Sequence, residues 1–181
     1  GYRRRALMAA GTQVARYGEF NTMLPNDKDY VATRIAHRFN FLGPALSLHS
    51  ACSTSLVSVV NAVQQLRLGT CDRALAGGAS LTFPQNIGHT YSEGSMLSQD
   101  GSTRSYDQDA CGTVFSDGAA MVLLKRLDDA QRDGDRVHAA IRGAGMNNDG
   151  ASKARYTAPR RAGRKGVIRQ STDRTGFSVG A

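Results

Sequence analysis

"HSACSTSLVSVVNAVQQL" (residues 49–66) sets a small cysteine, Cys52, at the mouth of a long apolar run. Only the first residue of the stretch, His49, can carry charge. Leu56, Val59, Val60 and Val63 fall at i, i+3, i+4 and i+7, and Val57, Ala62 and Leu66 widen that face. The spacing predicts a helix over 53–68. With no charge before Arg67, that helix is expected to be central and covered on more than one side. Gly69 is its natural stop. Upstream, "GPALSLHSA" (43–51) reads as a short strand. A strand, a sharp turn, a nucleophile and then a buried helix make a nucleophile elbow.

The chemistry open to Cys52 follows from that position. The first N–H groups of a helix are unpaired and the helix dipole is positive there. A thiolate at such a place is electrostatically favoured. The same N–H groups can hold the oxyanion of an acyl-transfer intermediate. The small neighbours Ala51 and Ser53 leave room for an acyl chain. Local pattern alone leaves a second reading open, because free cysteine is among the most buried residue types and commonly serves as inert packing.

At 181 residues the chain is long enough for one domain with a real core. It contains no uninterrupted apolar stretch of membrane-spanning length, so no membrane span is expected. The start, "GYRRRALMAAGTQ", has too short an apolar run for a signal peptide and no initiating Met, which suggests a fragment or a processed chain. Three cysteines (Cys52, Cys71, Cys111) without a C-x-x-C pair argue against a disulfide scaffold or a zinc site and suggest a reducing, cytoplasmic setting. Cys, His and acidic residues show no ligand spacing, so no metal is expected. The net charge of +8 is uneven: Lys153, Arg155, Arg160, Arg161, Arg164, Lys165, Arg169 and Arg174 stand against the single acid Asp173 between 151 and 175. This segment is either a solvated helix face or a surface for an acidic partner. Aromatic interleaving for base stacking is missing apart from Tyr156.

Elsewhere, residues 1–28 are polar and show no clear period. "DYVATRIAHRFN" (29–40) has helical spacing, with Asp29 as a candidate cap. "CDRALAGGASL" (71–81) reads as a buried strand whose Gly77-Gly78 pair implies a close backbone approach. A turn-rich region with one short helix near 89–97 follows, then a strand at 118–125 and a surface helix in "LDDAQRDGD". "RVHAAIRGAGMNNDG" alternates as a strand, and a basic helix over about 160–175 closes at Gly176. The order β-α-β…β-α-β-α indicates a layered α/β fold.

A base for Cys52 is hard to find among the four histidines. His49 lies three positions before it, on the opposite face if both belong to one strand. His37 belongs to a helix, and His138 alternates outward beside Arg136.

The stretch "GPALSLHSACSTSLVSVVNAVQQLRLGTCDRALAGGAS" resembles the active-site region of β-ketoacyl synthases, above all the ketosynthase domains of modular type I polyketide synthases. The likeness continues in order through "DG…R.YD" (Asp100, Gly101, Arg104, Tyr106, Asp107), "SDGAAMVLLKRL" (116–127) and "NNDG" (147–150), over about 29–175. Details such as "TVFSDGAA" resemble ketosynthases of hybrid or trans-acyltransferase assembly lines. The resemblance implies a thiolase-like layered α/β fold, with residues 1–181 forming the central part of one ketosynthase domain, cut at both ends. It implies that Cys52 takes an acyl group from a phosphopantetheine thioester, and that its backbone N–H is one oxyanion donor. A malonyl-type extender on an acyl carrier protein then loses CO₂ and attacks the Cys52 thioester. Implied further are a homodimer in the full-length enzyme, no bound cofactor, no metal and no nucleic-acid partner.

The sequence departs from the family pattern at His49, where Asp or Gln is common. The family's two histidines, in E-A-H-G-T-G-T and K-x-N-I-G-H stretches, belong downstream of the equivalent of "TGFSVGA" (175–181). "NIGH" at 86–89 lies upstream of "NNDG" and follows no lysine, so His89 is read as a chance match. The 181 residues alone are therefore expected to be inactive, and their independent folding is doubtful. Two alternatives stay open: a thiolase or CoA-dependent condensing enzyme of the same fold, and a non-catalytic module binding through the basic segment.

Overall fold

The computed structural model describes residues 11–25, 27–82, 84, 87–153, 158, 160–173 and 175. Helix α1 (Gly11–Met23) lies in the region with no readable period and is broken at Gly18, whose φ of 77° interrupts the helical backbone. A 3₁₀ turn (Lys28–Tyr30) leads into α2 (Val31–Phe39). The cap is Asp27, whose carboxylate accepts from the Asp29 amide, rather than Asp29 itself. The left-handed Asn40 (φ 55°) ends α2, and the Phe41 amide reaches back to the Ala36 carbonyl.

The central unit is α3 (Thr54–Arg67) packed on strand β1 (Arg73–Ser80), which pairs antiparallel with β2 (Gly118–Lys125). The register sets Gly77 opposite Met121 and Gly78 opposite Ala120. Residues 74, 76 and 78 share one face of β1, and Gly78 on that face meets α3. A Cβ at Gly78 would come within 3.1 Å of the Ser55 Cβ, and one at Gly77 would strike the Ala120 carbonyl and the Met121 backbone. Ser58 Oγ donates to the Gly77 carbonyl at 2.9 Å, tying helix to strand. The close approach expected of this glycine pair is thus how the helix is seated.

Ala62, Val63 and Leu66 of α3, with Ala76 of β1 and Ala130, are the buried apolar residues of this unit. The expectation of cover on several sides is met only in the second half of α3. Leu56, near its start, is 70% exposed among the described residues. Gly69 (φ 71°) ends the helix as expected.

Arg126 closes the unit. Its guanidinium donates to the carbonyls of Leu66 and Cys71 at 3.0 and 3.1 Å, and it pairs with Asp72 and Asp129. It thereby adds a side-chain donor from the end of β2 to the Leu66 carbonyl, which also accepts from the Gly69 amide at 3.2 Å. Lys125 beside it pairs with Asp133 and Asp135. Helix α4 (Leu127–Arg132) and the Gly134 turn (φ 72°) follow as anticipated. Helix α5 (Arg161–Thr172) matches the basic helix, while Gly176, its expected stop, lies outside the described residues.

Three expected elements are absent among the described residues. Residues 43–51 are without a strand ladder; Ser47 instead bridges to the start of α2, accepting from the Ala32 amide and lying 3.5 Å from the Asp29 carbonyl. Residues 89–97 form turns, because Ser and Asp side chains capture the backbone: Ser95 Oγ accepts from the Leu97 amide, and Ser98 Oγ from Ser102. Residues 136–147 alternate in sequence but face no partner strand. Their polar groups turn to α5 instead, with the Met146 amide donating to Gln170 Oε1 at 3.0 Å and the Asn147 amide group to the Gly163 carbonyl at 2.8 Å. Gly143 and Gly145 permit that contact, since a Cβ on either would collide with the α5 backbone.

The turn-rich region is locked around Ser98, which is fully buried. Ser98 Oγ donates to Asp100 at 2.7 Å, Arg104 pairs with the same carboxylate, and the Cys111 thiol lies 3.3 Å from it. The hydrogen bond from Ser98, then those from Arg104 and the Ser102 amide, hold the Asp100 carboxyl far below the usual carboxylate range. Gly112 (φ 140°) lets the returning segment of the loop press on Leu97 and Ser98.

Gly77→Ala is expected to destabilise the protein by about 1–3 kcal/mol through overpacking, read as a fall in the urea midpoint. The lowered Asp100 value means that its stabilising contribution is full above about pH 4 and is lost as pH falls through the folded-state value. Asp100→Asn is therefore expected to lower the melting temperature at pH 7, with the gap to the unmutated protein closing in acid.

Candidate active site

The turn that carries Cys52 is a 3₁₀ turn (Ala51–Ser53) directly before α3. Ala51 holds φ at 53°, a left-handed backbone uncommon for a residue with a Cβ. Strain of this kind persists only where the surroundings fix it. Here the fixing groups are hydroxyls. Ser53 Oγ donates to the Ser50 carbonyl at 2.9 Å, and the Ser53 amide to the same carbonyl at 3.3 Å. Thr54 Oγ1 donates to the Ala51 carbonyl at 2.8 Å and accepts from the Ser50 amide at 3.0 Å. The serine, threonine and serine after Cys52 thus divide their work: Ser53 and Thr54 tie the elbow, and Ser55 meets Gly78.

Cys52 is exposed on this turn among the described residues. Among the described residues neither its thiol nor its amide has a hydrogen-bond partner. Both stand at the start of a helix of fourteen residues, where free N–H groups and the positive dipole end lie. This geometry can accept an acyl group on sulfur and a developing oxyanion at the amide.

No histidine hydrogen-bonds to Cys52 among the described residues. His49 is exposed on the extended approach, which is not a strand, so the expected opposite-face argument does not apply to it. His37 is exposed on α2 and lines a groove of about 590 Å³ with Pro25, Val31, Ile35 and Phe39. Cys52 does not line that groove. His89 lies 2.7 Å from the Ser98 carbonyl through Nε2, so its ring braces the loop lock. His138 is exposed, but in a segment without the expected strand.

Sequence reasoning reached the cysteine and missed its support. The positive φ of Ala51 has no signature in an alanine. The role of Ser53 and Thr54 had one, since hydroxyls before an apolar helical run signal capping. Arg104 and Asp100 belong to the DG…R.YD motif, yet their pairing with Cys111 is a tertiary event.

Residues 3–130 match the model of the β-ketoacyl synthase N-terminal domain. A phenolphthiocerol/phthiocerol polyketide synthase of Mycobacterium tuberculosis is 46% identical over 166 residues, which are 92% of this chain and 11% of that protein. Polyketide synthase PksN of Bacillus subtilis is 40% identical over 145 residues, covering 80% of this chain and 3% of the relative. Among solved structures, ketosynthase twelve of the bacillaene polyketide synthase from Bacillus amyloliquefaciens superposes with a TM-score of 0.79 at 36% identity, over 83% of this chain and 27% of the other. The chain therefore spans about a tenth or less of these curated relatives and about a quarter of the solved ketosynthase. The order of α3, β1 and β2, and the elbow they carry, accordingly belong to a thiolase-like fold. Sequence, fold and elbow agree that this chain belongs to the β-ketoacyl synthase family, among the ketosynthases of polyketide synthases.

Proposed function

We propose that Cys52 is the acyl-carrying nucleophile of a decarboxylative condensing ketosynthase. The observation that carries this reading is the exposed, unpartnered thiol on a strained turn at the head of α3. In the first half-reaction, the Cys52 sulfur attacks the carbonyl carbon of an acyl-phosphopantetheine thioester. The new S–C bond forms, and the carbonyl oxygen becomes an oxyanion that the Cys52 amide receives. Collapse breaks the old C–S bond and releases the pantetheine thiol, which takes the proton that Cys52 gives up.

In the second half-reaction, a malonyl-type thioester on an acyl carrier protein loses CO₂. Its α-carbon attacks the Cys52 thioester, a C–C bond forms, and Cys52 leaves as a thiolate that regains a proton. Splitting the condensation at a covalent intermediate replaces one difficult step by two easier ones. The donor and acceptor are both carrier-bound, the working enzyme is a homodimer in the cytoplasm, and the ketosynthase brings no cofactor of its own.

Cys52→Ala in the full-length parent is expected to lower condensation by at least about 10³-fold and to abolish labelling of this peptide by iodoacetamide. Cys111→Ala is expected to leave condensation near its original rate. Unchanged condensation by Cys52→Ala would overturn the proposal.

A further inference from the structure

The hydroxyl of Thr54 makes two hydrogen bonds of opposite sense. Thr54 Oγ1 accepts from the Ser50 amide at 3.0 Å and donates to the Ala51 carbonyl at 2.8 Å. One oxygen thus bridges the backbone across the left-handed Ala51 (φ 53°), from the N–H before it to its own C=O. The neighbouring Ser53 makes no such bridge. Its hydroxyl donates to the Ser50 carbonyl at 2.9 Å and to Ser50 Oγ at 3.1 Å, and its amide already reaches that carbonyl at 3.3 Å. Without the Ser53 hydroxyl, the Ser50 carbonyl keeps a donor. Without the Thr54 hydroxyl, the Ser50 amide has no acceptor among the described residues.

The Ala51 carbonyl matters because of what shares its plane. A peptide unit is planar and trans, so the direction of the Ala51 C=O fixes that of the Cys52 N–H, which points the opposite way. That N–H is the oxyanion donor of the function proposed above, and the inference rests on that reading. The Thr54 hydroxyl therefore holds one end of the peptide whose other end meets the oxyanion. The Thr54 amide donates to the same carbonyl. Hydrogen bonds accepted at a carbonyl polarise its peptide and strengthen the N–H as a donor. Branching at Cβ restricts χ1 of threonine, which presets the hydroxyl for this bridge.

We propose that Thr54 is a positioning residue for acyl transfer: its hydroxyl aims and polarises the Ala51–Cys52 peptide, so that the Cys52 N–H faces the thioester oxygen as the sulfur attacks. Thr54 touches neither the sulfur nor the oxyanion and acts through one peptide unit. The bridge closes within residues 50–54 and needs no other part of the domain.

The test separates two reactions of the same sulfur. Acylation by a thioester builds negative charge on oxygen, whereas alkylation by iodoacetamide displaces iodide at carbon and builds none there. Alkylation therefore reads access and ionisation of the thiol, and acylation reads these and the oxyanion donor as well. Both are followed on the Cys52 peptide of the full-length parent by mass spectrometry. Thr54→Val is expected to slow acylation by an N-acetylcysteamine thioester at least about tenfold and to leave the alkylation rate and its pH profile unchanged. Thr54→Ser, which keeps the oxygen, is expected to restore acylation to near the original rate. Ser53→Ala is expected to slow acylation less than Thr54→Val does. Thr54→Ala decides the matter if the valine variant does not fold. Unchanged acylation in a folded variant lacking the hydroxyl, an equal loss of acylation and alkylation, or a Thr54→Ser variant as slow as Thr54→Val would overturn the proposal. A Cys52 peptide that takes no acyl group in the unmutated parent would instead sink the nucleophile reading itself.

Discussion

The contact between Ser55 and Gly78 decides where Cys52 can stand. Cys52 lies three residues upstream of this first firm contact between helix and sheet, so the contact must be very close or the N-terminal turn swings free. Glycine at 78 admits the Ser55 backbone, glycine at 77 admits β2 from the other side, and Ser58 Oγ fastens the helix to the Gly77 carbonyl. Arg126 secures the far end of the same helix from β2. With α3 held at both ends, the left-handed Ala51 has a fixed frame to strain against, and the thiol of Cys52 emerges at one defined position. Seat, strained elbow and exposed thiol form one mechanical chain.

Among the described residues the turn and the buried side chains lie at opposite ends of α3. The buried side chains cluster in the second half of α3 and under β1, at Ala62, Val63, Leu66 and Ala76. The first half of α3 leaves Leu56 70% exposed among the described residues, and the hydrogen bonds at the turn of Cys52 come from the hydroxyls of Ser53 and Thr54.

The parts of the fold legible in the sequence were those whose signals are local. The period of α3, its Gly69 stop, the Gly77-Gly78 pair and the apolar run of β2 each act within a few residues, and each appears in the structure as read. Elements that depend on a neighbour were not legible. Residues 43–51 and 136–147 have the alternation of strands, but a strand exists only beside another, and the described residues offer them none. The helix expected near 89–97 gave way to serine and aspartate side chains that bind the backbone from a distance no period reveals. At the site, local pattern put Cys52 before an apolar helix but left packing open, and the nucleophile reading rests on the resemblance. The strain at Ala51 was invisible because alanine carries no mark of the backbone it adopts.

The central claim is that the elbow exists to carry an acyl group on Cys52. The most direct measurement is mass spectrometry of the full-length parent after brief exposure to an acyl thioester, with peptides spanning Cys52, Cys71 and Cys111 compared. One acyl addition is expected, on the Cys52 peptide alone. Acylation of Cys71 or Cys111 with Cys52 unmodified would contradict it.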